Sequence, residues 1–501
     1  MKKYFRNIFA LKGDCLEKIY SSAADNKNKL RRDYADCSDF LIRECEVSGR
    51  KCIVCVLDGM ISSLQLSQMI MTPLLSFKEK CKTPALLYET VKQRVVNSLE
   101  MSDAEDFEDV YFHLSSGFAA VFIDGVSKCL VLGIQGFEKR GIDDPATEAN
   151  IKGARECFTE TLNDNKATLH RRIKTPALKM KQIKVGRQAQ TSVAICYIKG
   201  IASERLVHEV ERRINSANID RVCDYAELAA FLGSDVGSVF SAYGTTERPD
   251  TLCSKLYEGR VAVLVDGSPF AVYVPCLFTD SFSTVDDYNN RPVYASMNRL
   301  LKYFSFVISV MLPGLYVAVG TFHQELLPTS LMYTIAAAEI TTPFSLMQEA
   351  VMIMILYEIM REAGLRLPRA IGHAVSIIGA LVIGDAVVNA GLVGAPMLVV
   401  VAVTAISSYV IYPLYESVAV LRLGFIILGG YTGIYGVVLG MCVLCVNITA
   451  INPYGVPYSA PISPLNKKSI GDVFYRQNWR KMAKRNITVQ SLRGADISDE
   501  K

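Results

Sequence analysis

Apolar and polar positions divide the chain into two regimes. Up to about residue 302, short apolar runs alternate with polar segments. From Tyr303 to Ile448 the apolar runs lengthen, as in FSFVISVMLPGLYVAVG and APMLVVVAVTAISSYVIY. A helix needs ~20 mainly apolar residues to cross a bilayer core, and several windows here reach that length. Only eleven of these 146 positions are charged, four basic and seven acidic. The stretch reads as a membrane block with water-facing attachments.

In the first regime, KCIVCVLDG (51–59) predicts a strand and turn, and ISSLQLSQMIMTPLL (61–75) continues with helical spacing. GFAAVFIDGVSKCLVLGI (117–134) predicts two strands joined at Asp124-Gly125, a strong hairpin signal. The order then recurs: strand TSVAICYIKG (191–200), amphipathic helix IASERLVHEVERRINSANID (201–220), and a hairpin around Asp266-Gly267. Gly59 maps to Gly200 and Gly125 to Gly267 at nearly equal offsets. Two similar α/β subdomains explain this economically, although one continuous sheet fits the same pattern. The expected fold is an α/β cytoplasmic N-terminal region followed by an α-helical polytopic membrane domain. Its parts are a basic arm or short packing helix (1–35, loosely helical in pattern, with a turn near Ala24–Asn28), subdomain 1 (36–140), a basic helical linker (141–190) and subdomain 2 (191–290). A membrane domain (300–450) and a Pro-rich, then basic, cytoplasmic tail (451–501) follow.

Within the membrane block, crossings are expected near Ser305–Phe322, over Leu346–Met360 with a start as early as Leu331, and near Ile371–Val388 and Pro396–Tyr415. The arginines of REAGLRLPR mark a cytoplasmic loop. The last apolar run, Leu423–Ile448, is broken by LGGYTG (428–433), where glycines permit a hairpin or discontinuous helix. Two short limbs there return the basic tail to the cytoplasm, giving four crossings plus a broken pair. Gly372, Ser376, Ala380 and Gly384 form a small-residue stripe for close helix approach, and Gly436 and Gly440 repeat it.

Ionisable groups at membrane depth cost at least ~2.5–3.5 kcal/mol each on insertion scales, so they face a cavity or a partner. On the second crossing Gln348, Glu358 and Glu362 share an arc of ~80°, with Glu349 opposite. One face can line a water-filled path while Glu349 pairs with a neighbouring helix. The competing reading pairs Glu358 and Glu362 with Arg361 or Arg366 at the cytoplasmic end. Asp385 lies near the outer end of its helix, where headgroup exposure competes with a role in the path. His323 beside Glu325 reads as interfacial.

Charge changes the picture at the ends. Residues 1–302 carry 41 basic and 39 acidic side chains, a nearly neutral soluble region. The tail from Asn466 carries nine basic and four acidic residues, and beside a membrane such a tail favours anionic lipid headgroups over nucleic acid. The first twenty residues lack an apolar core, so no cleavable signal is expected and the N-terminal region stays cytoplasmic. The fourteen cysteines read as reduced fillers; neither CxxC pair, Cys52/Cys55 or Cys442/Cys445, has partners at zinc spacing. No P-loop, dinucleotide fingerprint, HExxH or GxSxG occurs, so neither an enzyme nor a cofactor is expected. Trp479, the sole tryptophan, suits interfacial anchoring.

TERPDTLCSKLYEGRVAVLVDGSPFAVYVP (246–275), FHQELLPTSL (322–331), REAGLRLP (361–368), GALVIGDAVVNAGLV (379–393), LGFIILGGYTGIYGVVLG (423–440) and YGVPYSAPISP (454–464) resemble the GerA family, the A subunits of spore germinant receptors. Segment 144–179 fits it too. The resemblance spans about residues 36–465. It implies a multi-pass protein of the spore inner membrane, complexed with B and C subunits and itself, and forming a ligand-gated channel for monovalent cations. Departures from the family pattern occur at Ala154, Cys157, Asp385 and Glu339-Ile340. The accessory SpoVAF type shares the membrane domain and ranks second. A transporter-like permease, suggested by the broken helix, and a non-conducting scaffold are further alternatives.

Overall fold

The computed structural model describes residues 17–79, 81–98, 100–136, 148, 150, 152–233, 238–367, 384–452, 454–466, 469–482 and 488–497. The first unit has a helix, α1 (Ala23–Asp33), five strands, β1 (Phe40–Val47), β2 (Arg50–Leu57), β3 (Met101–Ala104), β4 (Phe118–Ile123) and β5 (Cys129–Gly133), and two helical stretches between β2 and β3, over residues 63–76 and 84–95. Helix α2 (Phe107–Leu114) precedes β4. The strands form one antiparallel sheet in the order β1-β2-β4-β5-β3. β2 and β4 are buried on both faces, so they read as continuous apolar runs. Their alternate residues feed two cores, one around Val54, Val121 and Leu132 and the other around Cys55, Phe122 and Phe107.

The second unit repeats the plan. It runs α3 (Leu162–Arg172), β6 (Leu178–Val185), β7 (Thr191–Ile198), α4 (Glu204–Ser216), α5 (Tyr225–Leu232), β8 (Gly244–Thr246), α6 (Pro249–Tyr257), β9 (Val261–Val265) and β10 (Ala271–Val274). Its sheet order, β6-β7-β9-β10-β8, copies the first. The likeness reaches single hydrogen bonds. Asp124 and Asp266, each at its hairpin tip, accept from the first amides of α1 and α3 (Ala23 N 3.0 Å, Leu162 N 3.1 Å). Asn26 and Asn165 each bracket the backbone six residues back, at Tyr20 and Thr159. Both tips need a positive φ, 91° at Gly125 and at Gly267. Two similar α/β subdomains are therefore present, as the repeat predicts, and the single continuous sheet is excluded.

Local corrections follow. Of the arm or short helix expected at 1–35, the structure shows a packed helix, α1, in the place of the turn near Ala24–Asn28, because Ser22 caps it and Leu30 is buried. The linker expected over 141–190 contains α3 and β6, which begin the second unit. The units join where Ser38 N donates to Met180 O (3.2 Å) and where His170 meets Asp39 at 2.6 Å with both side chains buried.

The C-terminal part is helical and apolar: α7 (Pro292–Phe322), α8 (Thr329–Ile340), α9 (Leu346–Arg366), α10 (Ala395–Val410) and α11 (Tyr415–Ala450). Among the described residues, two helical stretches, Pro292–Phe322 and Tyr412–Ala450, are long and apolar enough to cross a membrane. The backbone of α11 leaves helical geometry at Gly433 (φ 66°, ψ −151°). A Cβ on Gly440 would lie 2.9 Å from Leu428 Cδ1 and 3.2 Å from the Phe425 ring. In an unbroken helix positions 425 and 440 would stand ~22 Å apart, so α11 is a hairpin of two packed limbs. Both of its ends meet one loop of the second unit: Ser417 Oγ donates to Val239 O (2.6 Å), and Ser238 Oγ to Asn447 Oδ1 (3.3 Å). The crossing expected at Ile371–Val388 lies mostly outside the described residues, as do Gly372, Ser376 and Ala380.

Candidate functional site

Helix α9 carries four of the five candidate ion-path residues. Its start is fixed by a capping box in which Ser345 N donates to Gln348 Oε1 (3.2 Å), so the helix of the expected second crossing begins here and not near Leu331, which lies in the separate helix α8. Leu346, Ala350, Ile353 and Met354 are buried against Val317 of α7, Met397 and Val401 of α10, and Ile426 of α11. That packing fixes the helix rotation and leaves Gln348, Ile355, Ile359 and Glu362 on the outside, with Ile355 48% and Ile359 60% exposed. The spacing i, i+7, i+11, i+14 makes them one stripe, polar at each end and apolar between.

Glu349 points the opposite way and is buried. Its carboxylate accepts from the backbone N–H of Gly394, the residue that caps the start of α10. A buried anion at a helix N-terminus meets unsatisfied N–H groups and the positive end of the helix dipole. The structure thus assigns Glu349 a neighbouring helix end as partner.

Glu358 turns towards α11. Tyr415 Oη donates to its two oxygens at 2.8 and 3.0 Å, Arg361 Nε lies at 2.9 Å, and buried Arg422 stands 3.8 Å away. Arg422 also donates from Nε to Ser309 O of α7 (3.0 Å), and the Arg361 guanidinium stacks on the Tyr415 ring at 4.1 Å. One carboxylate therefore ties three helices together at the end nearest the sheet units. Glu362 receives Arg366 at 2.7 and 2.9 Å. Asp385 is exposed.

The remaining candidates are packing residues. Gly384 faces Leu398 of α10, where a Cβ would sit at an ordinary 3.5 Å. Gly436 and Gly440 pack the second limb of α11 onto the first, at Leu428 and Phe425. A closer approach escaped the sequence reading. A Cβ on Gly429 would lie 2.2 Å from Gly314 O, and one on Gly314 2.4 Å from Phe425 O, so α7 and α11 cross backbone to backbone. Arg422 and Tyr415 were missed as partners of Glu358, because nothing local signals a contact across 57 or more residues. The available signal was Arg422 itself, the one basic residue between Tyr415 and Ala450.

Comparison with known proteins places this arrangement. Residues 28–488 match the family described as "Bacillus/Clostridium GerA spore germination protein". Spore germination protein KA of Bacillus subtilis (strain 168) is 34% identical over 476 residues, 94% of this chain and 87% of the relative. Spore germination protein GerLA of Bacillus cereus is 32% identical over 89% of this chain and 92% of its own length. The uncharacterized membrane protein YfkQ of Bacillus subtilis (strain 168) is 35% identical over 96% and 95%. Among solved structures, the N-terminal domain of the A subunit of the Bacillus megaterium spore germinant receptor GerK3 aligns over 53% of this chain and 99% of that one, with TM-score 0.41 and 23% identity. With the family model covering most of its length, the chain belongs to the GerA family of spore germination proteins.

Proposed function

We propose that this chain is the A subunit of a nutrient germinant receptor in the spore inner membrane, with its two sheet units in the cytoplasm. On this reading several copies, working with B and C subunits, surround a ligand-gated path for monovalent cations. The observation that carries it is the open stripe of α9. Copies arranged around an axis would turn Gln348 and Glu362 to the two mouths of a path and Ile355 and Ile359 to its waist. An apolar waist of this kind closes by dewetting, and Glu362, paired with Arg366 in this arrangement, supplies a carboxylate at one mouth. Glu349, buried at the start of α10, holds the lining helix at a fixed rotation. The named germination proteins among the relatives support the biological setting.

The proposed topology is four crossings plus the broken pair of α11. It is supported by the return of both ends of α11 to the loop at Ser238–Val239. The full chain in lipid nanodiscs tests the assembly: particle mass should equal several copies. A mass of one chain, in every lipid tried, would contradict a path built between copies.

A further inference from the structure

Helix α7 spans 31 residues, ~46 Å, against a hydrocarbon core of ~30 Å. Its first three turns inside the elbow with the short helix Val285–Asn289 have an unusual division of faces. The basic residues point inward: Arg299 meets Asp287 at 2.9 Å and Asp472 at 3.0 Å, and Lys302 meets Thr284 at 2.9 Å and Asp287 at 3.4 Å. The apolar residues point outward: Val293 (84% exposed), Met297, Leu300 and Phe304 follow i, i+4, i+7, i+11, with Tyr294 and Leu301 alongside. A helix in water shows the reverse arrangement. The outward stripe continues through Val307 and Leu315 into the apolar length of α7 without a break.

A second set of residues comes from far along the chain. The tail folds back on this elbow: Arg476 N donates to Ser296 Oγ (2.9 Å), its guanidinium to the carbonyls of Tyr288 and Asn290, and Tyr288 Oη to Asp472 Oδ2 (2.9 Å). Arg476 is thereby buried, whereas Phe474, Tyr475 and Trp479 are left exposed beside the stripe. The Trp479 indole N–H donates to Tyr288 O at 3.3 Å, which fixes the ring at the rim. Exposed aromatic residues with a polar handle, beside an apolar helix face, fit the headgroup layer of a bilayer.

We infer that the α7 elbow and the tail segment Phe474–Trp479 form a membrane-surface platform seated in the headgroup layer of a phospholipid leaflet. The inference rests on the membrane reading above and is independent of ion conduction. The platform fixes where the sheet units stand relative to the lipid, because its polar side is the network that holds Asp287 and Asp472.

Trp479 is the chain's only tryptophan, so the natural protein carries its own probe. The full chain is reconstituted in phosphatidylcholine–phosphatidylglycerol vesicles, and flotation with the vesicles is checked first. Lipids brominated near the top of their chains should then quench at least half of the Trp479 emission, and aqueous acrylamide should quench weakly. The double substitution Val293→Asp/Met297→Asp should reverse that preference. Strong acrylamide quenching without lipid quenching would overturn the platform, and so would shielding from both, which would mean that protein covers the face. Failure to float would overturn the membrane reading itself.

Discussion

Glu349 shows how one residue can carry a whole helix interface. Its carboxylate satisfies the first free amide of α10 from inside the bundle, where water cannot substitute. Glu349→Ala leaves that amide bare and should cost about 1–2 kcal/mol, read as a lower thermal midpoint in detergent. Glu349→Gln keeps an acceptor and should recover most of it. Outside the membrane, burial pushes the Glu148 carboxyl up to about 7, while Thr246 Oγ1 donates to it at 2.7 Å and Arg248 works against the rise. A raised acid binds its proton more tightly when folded. Its unfavourable contribution therefore grows as pH rises from the unfolded value near 4.5 to about 7, and is constant above. Glu148→Gln should remove roughly 1–3 kcal/mol of that penalty at pH 8 and change little at pH 4. Equal effects at both pH values would contradict this. At this scale the sequence was informative about residue type and uninformative about partners. That Glu349 pairs with a neighbouring helix was legible from its position opposite Gln348; that the partner is the amide of Gly394 was not, since 45 residues separate them.

Among the elements, the α11 hairpin depends on Gly433. Its φ of 66° with ψ of −151° is a conformation that side chains avoid, and an added Cβ would lie 2.8 Å from the His323 ring. Gly433→Ala should cost about 1–3 kcal/mol and lower the thermal midpoint in detergent. The crossing of α7 and α11 makes a parallel prediction. Gly314→Ala or Gly429→Ala must push two backbones apart, at about 1–3 kcal/mol, whereas Gly424→Ala meets nothing within 4 Å and should be harmless. The broken run at LGGYTG was legible because three glycines fall within six residues of an apolar run. The Gly314–Gly429 contact was hidden, because each glycine alone looks like ordinary membrane composition. The two sheet units were legible from hairpin signals at Asp124-Gly125 and Asp266-Gly267, and the structure shows both aspartates capping equivalent helices. Helix α1 was legible only as a loose helical pattern, an arm or a short helix, because its composition is polar and only Leu30 and its neighbours anchor it.

For the whole molecule, the sheet units, the helix bundle and the tail are tied at one end. Ser238–Val239 touches both ends of α11, Tyr454 Oη donates to Leu232 O (2.6 Å), and Asp472 meets Arg299. The tail was expected to hold lipid through its basic charge. The structure turns Arg476 inward and leaves Phe474, Tyr475, Trp479, Arg480 and Arg493 exposed, while the side chains of Lys467, Lys468, Lys481, Lys484, Arg485 and Lys501 lie outside the described residues. Next to this junction, Glu358 joins α9 to Tyr415 and Arg422. Charges so placed hold α9, α11 and α7 in one arrangement.

The central claim, a path along the open stripe of α9, is tested most directly by potassium flux from liposomes holding the full chain or its Ile355→Ser variant. A polar hydroxyl at the apolar waist should let water in, so the variant should conduct in the absence of any nutrient while the natural chain stays closed. Variant vesicles as tight as protein-free ones would contradict the path.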